Sequence, residues 1–202
     1  MRILNGHAGI GGNRALWGSE HEIVAVELDP AIAAVYQELY PDDTVVVADV
    51  NEYMLDHYSE FDMIWLSPPC PTHGQYRYNV GVRGKGFRPA IPDMTGLYGA
   101  IVFLESHFEG LWAVENVKPY YEPLIQPTVI LQRHLVWANF DIAPKAFAPK
   151  QVRSKNKISD YDDLGVDLTG TKISNKRQVL RNAVDPELGL HVLLAALDEF
   201  SK

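Results

Sequence analysis

Four apolar, β-branched runs follow one another at the start of the chain, MRILNG, EIVAVE, TVVVA and FDMIWL, and helical segments such as PAIAAVYQELY and VNEYMLDHY lie between them. Strands that are apolar at consecutive positions have both faces covered, and a strand-helix-strand rhythm makes neighbouring strands parallel. The pattern predicts an α/β fold with a doubly wound, mostly parallel, Rossmann-like sheet. NRALWGS is expected to open the first helix and MTGLYGAIVFLESHF to form another. GLWAVENV reads as a fifth strand and QRHLVWANFDI as a sixth, reached through the proline-containing connection KPYYEPLIQPTVI. From Ala143 to about Ser174 the pattern weakens into Pro, Lys, Ser, Asp and Gly. Helix returns with KRQVLRNAVDPELGLHVLLAALDEF, in which Pro186 suits the first turn of the last helix. The organisation expected is one main domain, residues 1–140 with 175–202, and a loop-rich insertion at 141–174.

The 202 residues are enough for one domain with a sizeable core, and 47% hydrophobic with 22% charged residues is ordinary for a globular protein. No apolar run is long enough for a bilayer and no basic-then-apolar leader opens the sequence, so the expectation is a soluble, cytoplasmic protein without a membrane partner. The single cysteine, Cys70, excludes an internal disulfide framework and any multi-thiolate metal site, and no metal is expected. The net charge of -8 opposes a general affinity for nucleic acid. Its distribution is uneven. Arg77, Arg83, Lys85 and Arg88 fall in one stretch without an acid, and Lys145, Lys150, Arg153, Lys155 and Lys157 in another, together half of the 18 basic residues. Either a polyanion binds locally there or these are solvated loops that happen to be basic.

The ends of the apolar runs carry the chemistry. HAGIGG, residues 7 to 12, follows the first strand and allows a tight turn close to a ligand, but it has neither the dinucleotide spacing G-x-G-x-x-G nor the Lys-Ser or Lys-Thr of a P-loop. Glu27 ends the second strand, where a carboxylate can accept both hydroxyls of a ribose, and Asp49 ends the third. Helix capping is the ordinary use of such acids; their common topological position points instead to one ligand crevice. The fourth strand delivers Cys70 to that crevice, the fifth Glu115 and Asn116, and the sixth Arg133. A glutamate ending a buried strand is costly unless paired or used. Two readings stand: Glu115 and Arg133 as a structural ion pair beside an inert thiol, or a nucleophile beside an acid.

In order along the chain, AGIGG, VELD, VVAD, SPPC, ENV, QR and RNAV resemble the motifs of the cytosine-C5 DNA methyltransferases, from about residue 3 to 195. The resemblance implies the fold of the S-adenosylmethionine (AdoMet) dependent methyltransferases, AdoMet as cofactor, and methylation of cytosine C5 in DNA, the base being flipped out of the duplex. It implies Cys70 as the nucleophile that adds to C6, Glu115 as the acid at N3, Asn116 as the residue fixing the strand end, and Arg133 as the holder of Glu115 and of the base's O2 edge. AdoMet would lie against His7, Ala8, Gly9, Ile10 and Gly11, with Glu27 and Leu28 at the ribose, Asp49 and Val50 near the adenine, and Pro69, Asn182 and Ala183 closing the pocket. Arg77, Arg83, Lys85 and Arg88 would reach DNA phosphates as the loop after Cys70 closes, and Lys150, Arg153 and Lys155 would add contacts from the insertion.

The sequence departs from the family pattern at several points. His7 stands where the family usually has Phe, Pro71 where it has Gln, Arg181 where it has Gly, and Leu135 where a second arginine is common. The short insertion leaves little room for target recognition and resembles compact, phage or prophage-type members, monomeric and with a short recognition sequence, in restriction-modification or phage DNA protection. The competing readings are an RNA methyltransferase of the same fold, an enzyme moving a group other than methyl, and a non-catalytic AdoMet- or DNA-binding module.

Overall fold

The computed structural model describes residues 1–74, 92–147 and 166–202. Its centre is a seven-stranded sheet built from β1 (Arg2–Gly6), β2 (Glu22–Glu27), β3 (Thr44–Val47), β4 (Met63–Leu66), β5 (Leu111–Val117), β6 (Val129–Leu131) and β7 (His134–Ala138). The strand order is β3-β2-β1-β4-β5-β7-β6. β1 to β5 pair in parallel, whereas β7 runs antiparallel to β5 and to β6. This is the expected doubly wound, mostly parallel α/β sheet. Among the described residues no helix is long and apolar enough to cross a membrane.

Consecutive apolar residues feed two cores, one on each face, because side chains alternate along a strand. Leu4, Val24, Ile64, Leu66 and Val114 point to α2 (Val50–His57) and α3 (Ala100–His107). Ile3, Ile23, Met63, Trp65 and Ala113 point to the last helix, α5 (Pro186–Phe200). Three helices begin on an aspartate: Asp29 accepts from Ala31 and Ile32 ahead of α1 (Pro30–Leu39), Asp49 from Asn51 and Glu52, and Asp185 from Glu187. Pro30 and Pro186 occupy the first helical position, where their missing N–H is harmless.

Three local expectations change. NRALWGS forms only a 3-10 turn, Asn13–Leu16. The expected sixth strand is the second arm of a hairpin: Val129–Leu131 form β6, and the chain turns back at Gln132, whose φ is 57°, so that Arg133 lies in the turn. The C-terminal helical run is broken at Ala183 into α4 (Lys176–Asn182) and α5, the break lying against the glycine turn. The ends of the insertion are packed: Ile142 and Phe147 join the α5 core, while Leu168 and Ile173 join Ile10, Val35 and Leu180.

Beneath the first turn lies a buried polar network. Arg14 donates Nε and Nη2 to the two oxygens of Asp43 at 2.9 and 3.0 Å, with side chains 9% and 3% exposed. The Tyr36 hydroxyl donates to Asp43 at 2.8 Å, and Asn13 donates to Asn5 at 2.8 Å. Burial and the charge of Asp43 push the Tyr36 phenol well above its ordinary range, so it remains a donor. Removing one partner of a buried bidentate pair leaves the other charge uncompensated. Asp43→Ala is expected to destabilise the fold by about 3 kcal/mol in equilibrium denaturation; a loss within the error of that measurement would mean that the pair contributes little.

Candidate active site

The strand ends gather at one edge of the sheet. β1 leads into Ala8–Gly12, where Gly9 and Gly11 have φ of 56° and 75°. A side chain on Gly11 would overlap the Tyr36 and Tyr40 rings, and one on Gly12 would overlap the Val184 backbone. The turn is held by Ala8 N–H to Val26 O at 3.0 Å and by the Tyr40 hydroxyl to Gly11 O at 2.8 Å. Glu27 closes it from β2, accepting from Gly9 N–H and from Asp29 N–H at 2.9 Å each. Both Glu27 oxygens thus already serve the backbone, which orients the carboxylate while leaving it further lone pairs.

The other predicted cofactor residues follow the ends of β1 to β4 or lie at the break between α4 and α5. Leu28 is 64% exposed at the tip of β2, and Asp49 is the N-cap of α2. Val50 and Ala8 are buried in the cores, Ile10 packs against Leu180, and Pro69 is exposed. Ala183 lies against Gly12, and the adjoining Asn182 is exposed. His7, at φ 55°, has its Nδ1 shut away from solvent with no partner among the described residues. Burial lowers its pKa to about 4, against the opposing pull of Asp49 and Asp93. A ligand atom at Nδ1 would therefore meet a neutral ring.

The chemical half of the site comes from β4, β5 and β7. Past Leu66 the backbone enters Ser67–Gly74, and the buried Asn116 amide donates to Pro68 O at 2.9 Å, pinning the approach to Cys70. Cys70 O accepts from His73 N–H at 3.0 Å and Gly74 N–H at 3.1 Å. His73 is itself buried and bonded through Nδ1 to the Tyr121 hydroxyl at 2.6 Å. Burial raises the Cys70 pKa, the charge of Glu115 raises it further, and Arg133 and Arg181 oppose both. The thiol therefore shares an electrostatic environment with the acid on the neighbouring strand.

The partner of Glu115 differs from the expected one. His134 Nδ1 lies 2.5 Å from Glu115 Oε1, and Arg133 Nε donates to His134 Nε2 at 3.1 Å. Arg133 is thus joined to Glu115 through His134. His134, 7% exposed, and Arg181 are the residues that sequence reading missed in this role. The signal for His134 was strand parity: it lies two residues from Val136, the register partner of Glu115 in the β5–β7 pair. The proposed DNA contacts Arg77, Arg83, Lys85, Arg88, Lys150, Arg153 and Lys155 lie outside the described residues.

No family model and no curated protein matches the chain. Similar solved structures include a hypothetical protein of Thermus thermophilus, 20% identical with a TM-score of 0.47, the match covering 68% of this chain and 73% of that one. DNMT2 of Spodoptera frugiperda is 23% identical with a TM-score of 0.38, over 58% of this chain and 35% of its own. A protein described as a DNA modification methyltransferase encoded within an E. coli prophage is 18% identical with a TM-score of 0.38, over 60% and 33%. The matches to these last two span about a third of their length.

Two measurements test the electrostatics. Glu115→Gln removes a charge that raises the thiol pKa, so iodoacetamide should alkylate Cys70 about 3- to 10-fold faster at pH 8, whereas Arg133→Met should slow it. Equal rates in all three proteins would separate Cys70 from both groups. For His7, the unfolded chain binds a proton near pH 6.5 and the folded chain only near 4. Its contribution to stability is therefore full above pH 6.5 and is lost as the pH falls through about 4. His7→Phe should flatten the pH dependence of Tm across that window; an unchanged slope would show that the ring is not held neutral.

Proposed function

We propose that this chain is an AdoMet-dependent methyltransferase that methylates C5 of cytosine in DNA through a covalent adduct between Cys70 and C6 of a flipped base. The observation that carries the reading is the convergence, at adjacent parallel strand ends, of the lone thiol with a buried glutamate whose charge it feels.

The residues present fit AdoMet. An orphaned, neutral His7 nitrogen, an exposed apolar Leu28 and a backbone-oriented Glu27 flank a turn that tolerates no added side chain at Gly11 or Gly12. In this reading Glu27 would hold the ribose hydroxyls, His7, Leu28, Asp49 and Val50 would lie at the adenine, and Pro69, Asn182 and Ala183 would close the pocket. When bound, AdoMet supplies an electrophilic methyl group.

Cytosine C5 is a weak nucleophile, so the protein's task is to raise the electron density there. The Cys70 sulfur bonds to C6, and the electron pair displaced from the C5–C6 bond is accommodated as Glu115 delivers a proton to N3. After methyl transfer the C5 proton leaves to a base, the Sγ–C6 bond breaks to restore the thiolate, and the N3 proton returns to Glu115. Asn116 holds the Pro68 carbonyl, and so the sulfur, in one place throughout. Because a duplex base cannot reach a strand-end crevice, the substrate is a base turned out of the helix.

A 5-fluorocytosine DNA duplex incubated with AdoMet and protein is expected to give an adduct that survives denaturing gels and is seen by mass spectrometry. Fluorine at C5 blocks the elimination. Cys70→Ser should give none, and Glu115→Gln should slow its formation by about 100-fold or more. A tRNA carrying the same base, run in parallel, separates DNA from RNA action. Adduct formation by Cys70→Ser, or none by the wild type on either nucleic acid, would reject the mechanism.

A further inference from the structure

We propose that His134 is a positioning residue that holds the Glu115 carboxyl as a neutral imidazole with its proton on Nδ1. The inference deepens the function proposed above, since it rests on Glu115 being the acid that meets the base.

The argument follows from what each group can donate. An arginine Nε always carries hydrogen, because the guanidinium is not deprotonated in proteins. Arg133 Nε lies 3.1 Å from His134 Nε2 with geometry that makes Arg133 the donor. Nε2 must then present a lone pair, which excludes both the imidazolium and the Nε2–H tautomer. The remaining ring proton sits on Nδ1, 2.5 Å from Glu115 Oε1, so the imidazole donates and the carboxyl accepts. Both side chains are buried, at 8% and 7% exposure, and a hydrogen bond to a carboxylate is strong under those conditions.

Arg133 can act as a clamp because its own backbone is fixed. The Gln132 turn, at φ 57°, starts β7, and Arg133 O accepts from Lys118 N–H at 2.7 Å. The result is a three-part chain, Arg133 to His134 to Glu115, running along the end of the β5–β7 pair. It binds Oε1 toward β7, and in the function proposed above Oε2 is the oxygen left to meet the base. Leu135, where a second arginine would have been expected, faces the opposite core with Val114 and Trp137, so it has no access to Glu115. His134 does that work instead. The clamp also means that the ring is a fixed donor and not a proton shuttle, because its second nitrogen is permanently engaged.

The test has one arm that needs no activity. In ¹⁵N-histidine-labelled full-length protein, the nitrogen resonances of His134 should report protonated Nδ1 and bare Nε2 at pH 7, in the wild type and in Glu115→Gln, whose amide oxygen still accepts. In Arg133→Met the preference should be lost. An Nε2–H tautomer or an imidazolium in the wild type overturns the proposal, whatever the protein's activity.

In the second arm, His134→Leu should lower kcat about 10- to 100-fold with KM for DNA unchanged. His134→Asn, whose amide N–H stands where Nδ1 stood, should recover most of that loss. Equal losses in the two variants, or none in His134→Leu, would show that the N–H is not what matters. If the wild type transfers no methyl group, the function proposed above fails, and the tautomer measurement still decides the assignment of His134.

Discussion

Arg14 and Asp43 form an ion pair whose side chains are only 9% and 3% exposed, and the placing of the first turn depends on how that pair is satisfied. Moving two charges out of water costs several kcal/mol each. The cost is offset only by close geometry and further hydrogen bonds, which here come from the bidentate arginine fork and the Tyr36 hydroxyl. Those partners belong to four separate places: the 3-10 turn after β1, α1, the residue before β3, and, through Asn5 and Asn13, β1 itself. The pair therefore ties together β1, the turn after it, α1 and the start of β3. Apolar burial layers the sheet, but it is indifferent to small slides of one element past another. A buried charge pair is not. The Arg14 guanidinium also lies over the Tyr40 ring, 5.3 Å from its centroid, and the Tyr40 hydroxyl holds the turn at Gly11.

On this base the site divides in two. The side formed by β1, β2 and β3 is made of backbone and capping groups, with Glu27 and Asp49 spending lone pairs on their own turns. The side formed by β4, β5 and β7 is made of side chains that hold one another. Asn116 secures Pro68, Tyr121 secures His73, and His134 secures Glu115. A scaffold for a ligand needs shape, and shape can be supplied by backbone. In the function proposed, bond making needs one thiol and one carboxyl at fixed separation, and packed, mutually bonded side chains supply that.

The parts legible in the sequence were those with a long-wavelength signal. β1 to β5 are continuous apolar runs, the acids close them, and Cys70 follows a proline pair that had to end a strand. β6 escaped because Val129–Leu131 is three residues long and follows Pro127, too short for any periodicity to separate it from a loop. The hairpin that joins it to β7 uses Gln132 at positive φ, with no Asn-Gly or Asp-Gly to announce it. That omission shifts the site, because a sixth strand beginning at Gln132 puts Arg133 in the role that strand parity assigns to His134. The Arg14–Asp43 pair was illegible for another reason: its members are 29 positions apart, and nothing in either segment marks them as partners.

A raised thiol pKa at first sight argues against Cys70 as a nucleophile, because only the thiolate attacks. The objection counts one group at a time. In the proposed reaction the resting pair is a thiol beside a carboxylate, and the reactive pair is a thiolate beside a carboxylic acid. The two carry the same total charge, so the buried site is not asked to accommodate an extra one. What burial and Glu115 disfavour is the doubly anionic pair, and the reaction never needs it. Arg133 and Arg181, the cations that ease the thiol's ionisation, act on whichever member holds the negative charge. Burial and the charge of Glu115 both favour the thiol over the thiolate in the resting site. As the sulfur bonds to C6, the single proton of the pair passes by way of Glu115 to N3, so the substrate's own N3 completes the acid-base set.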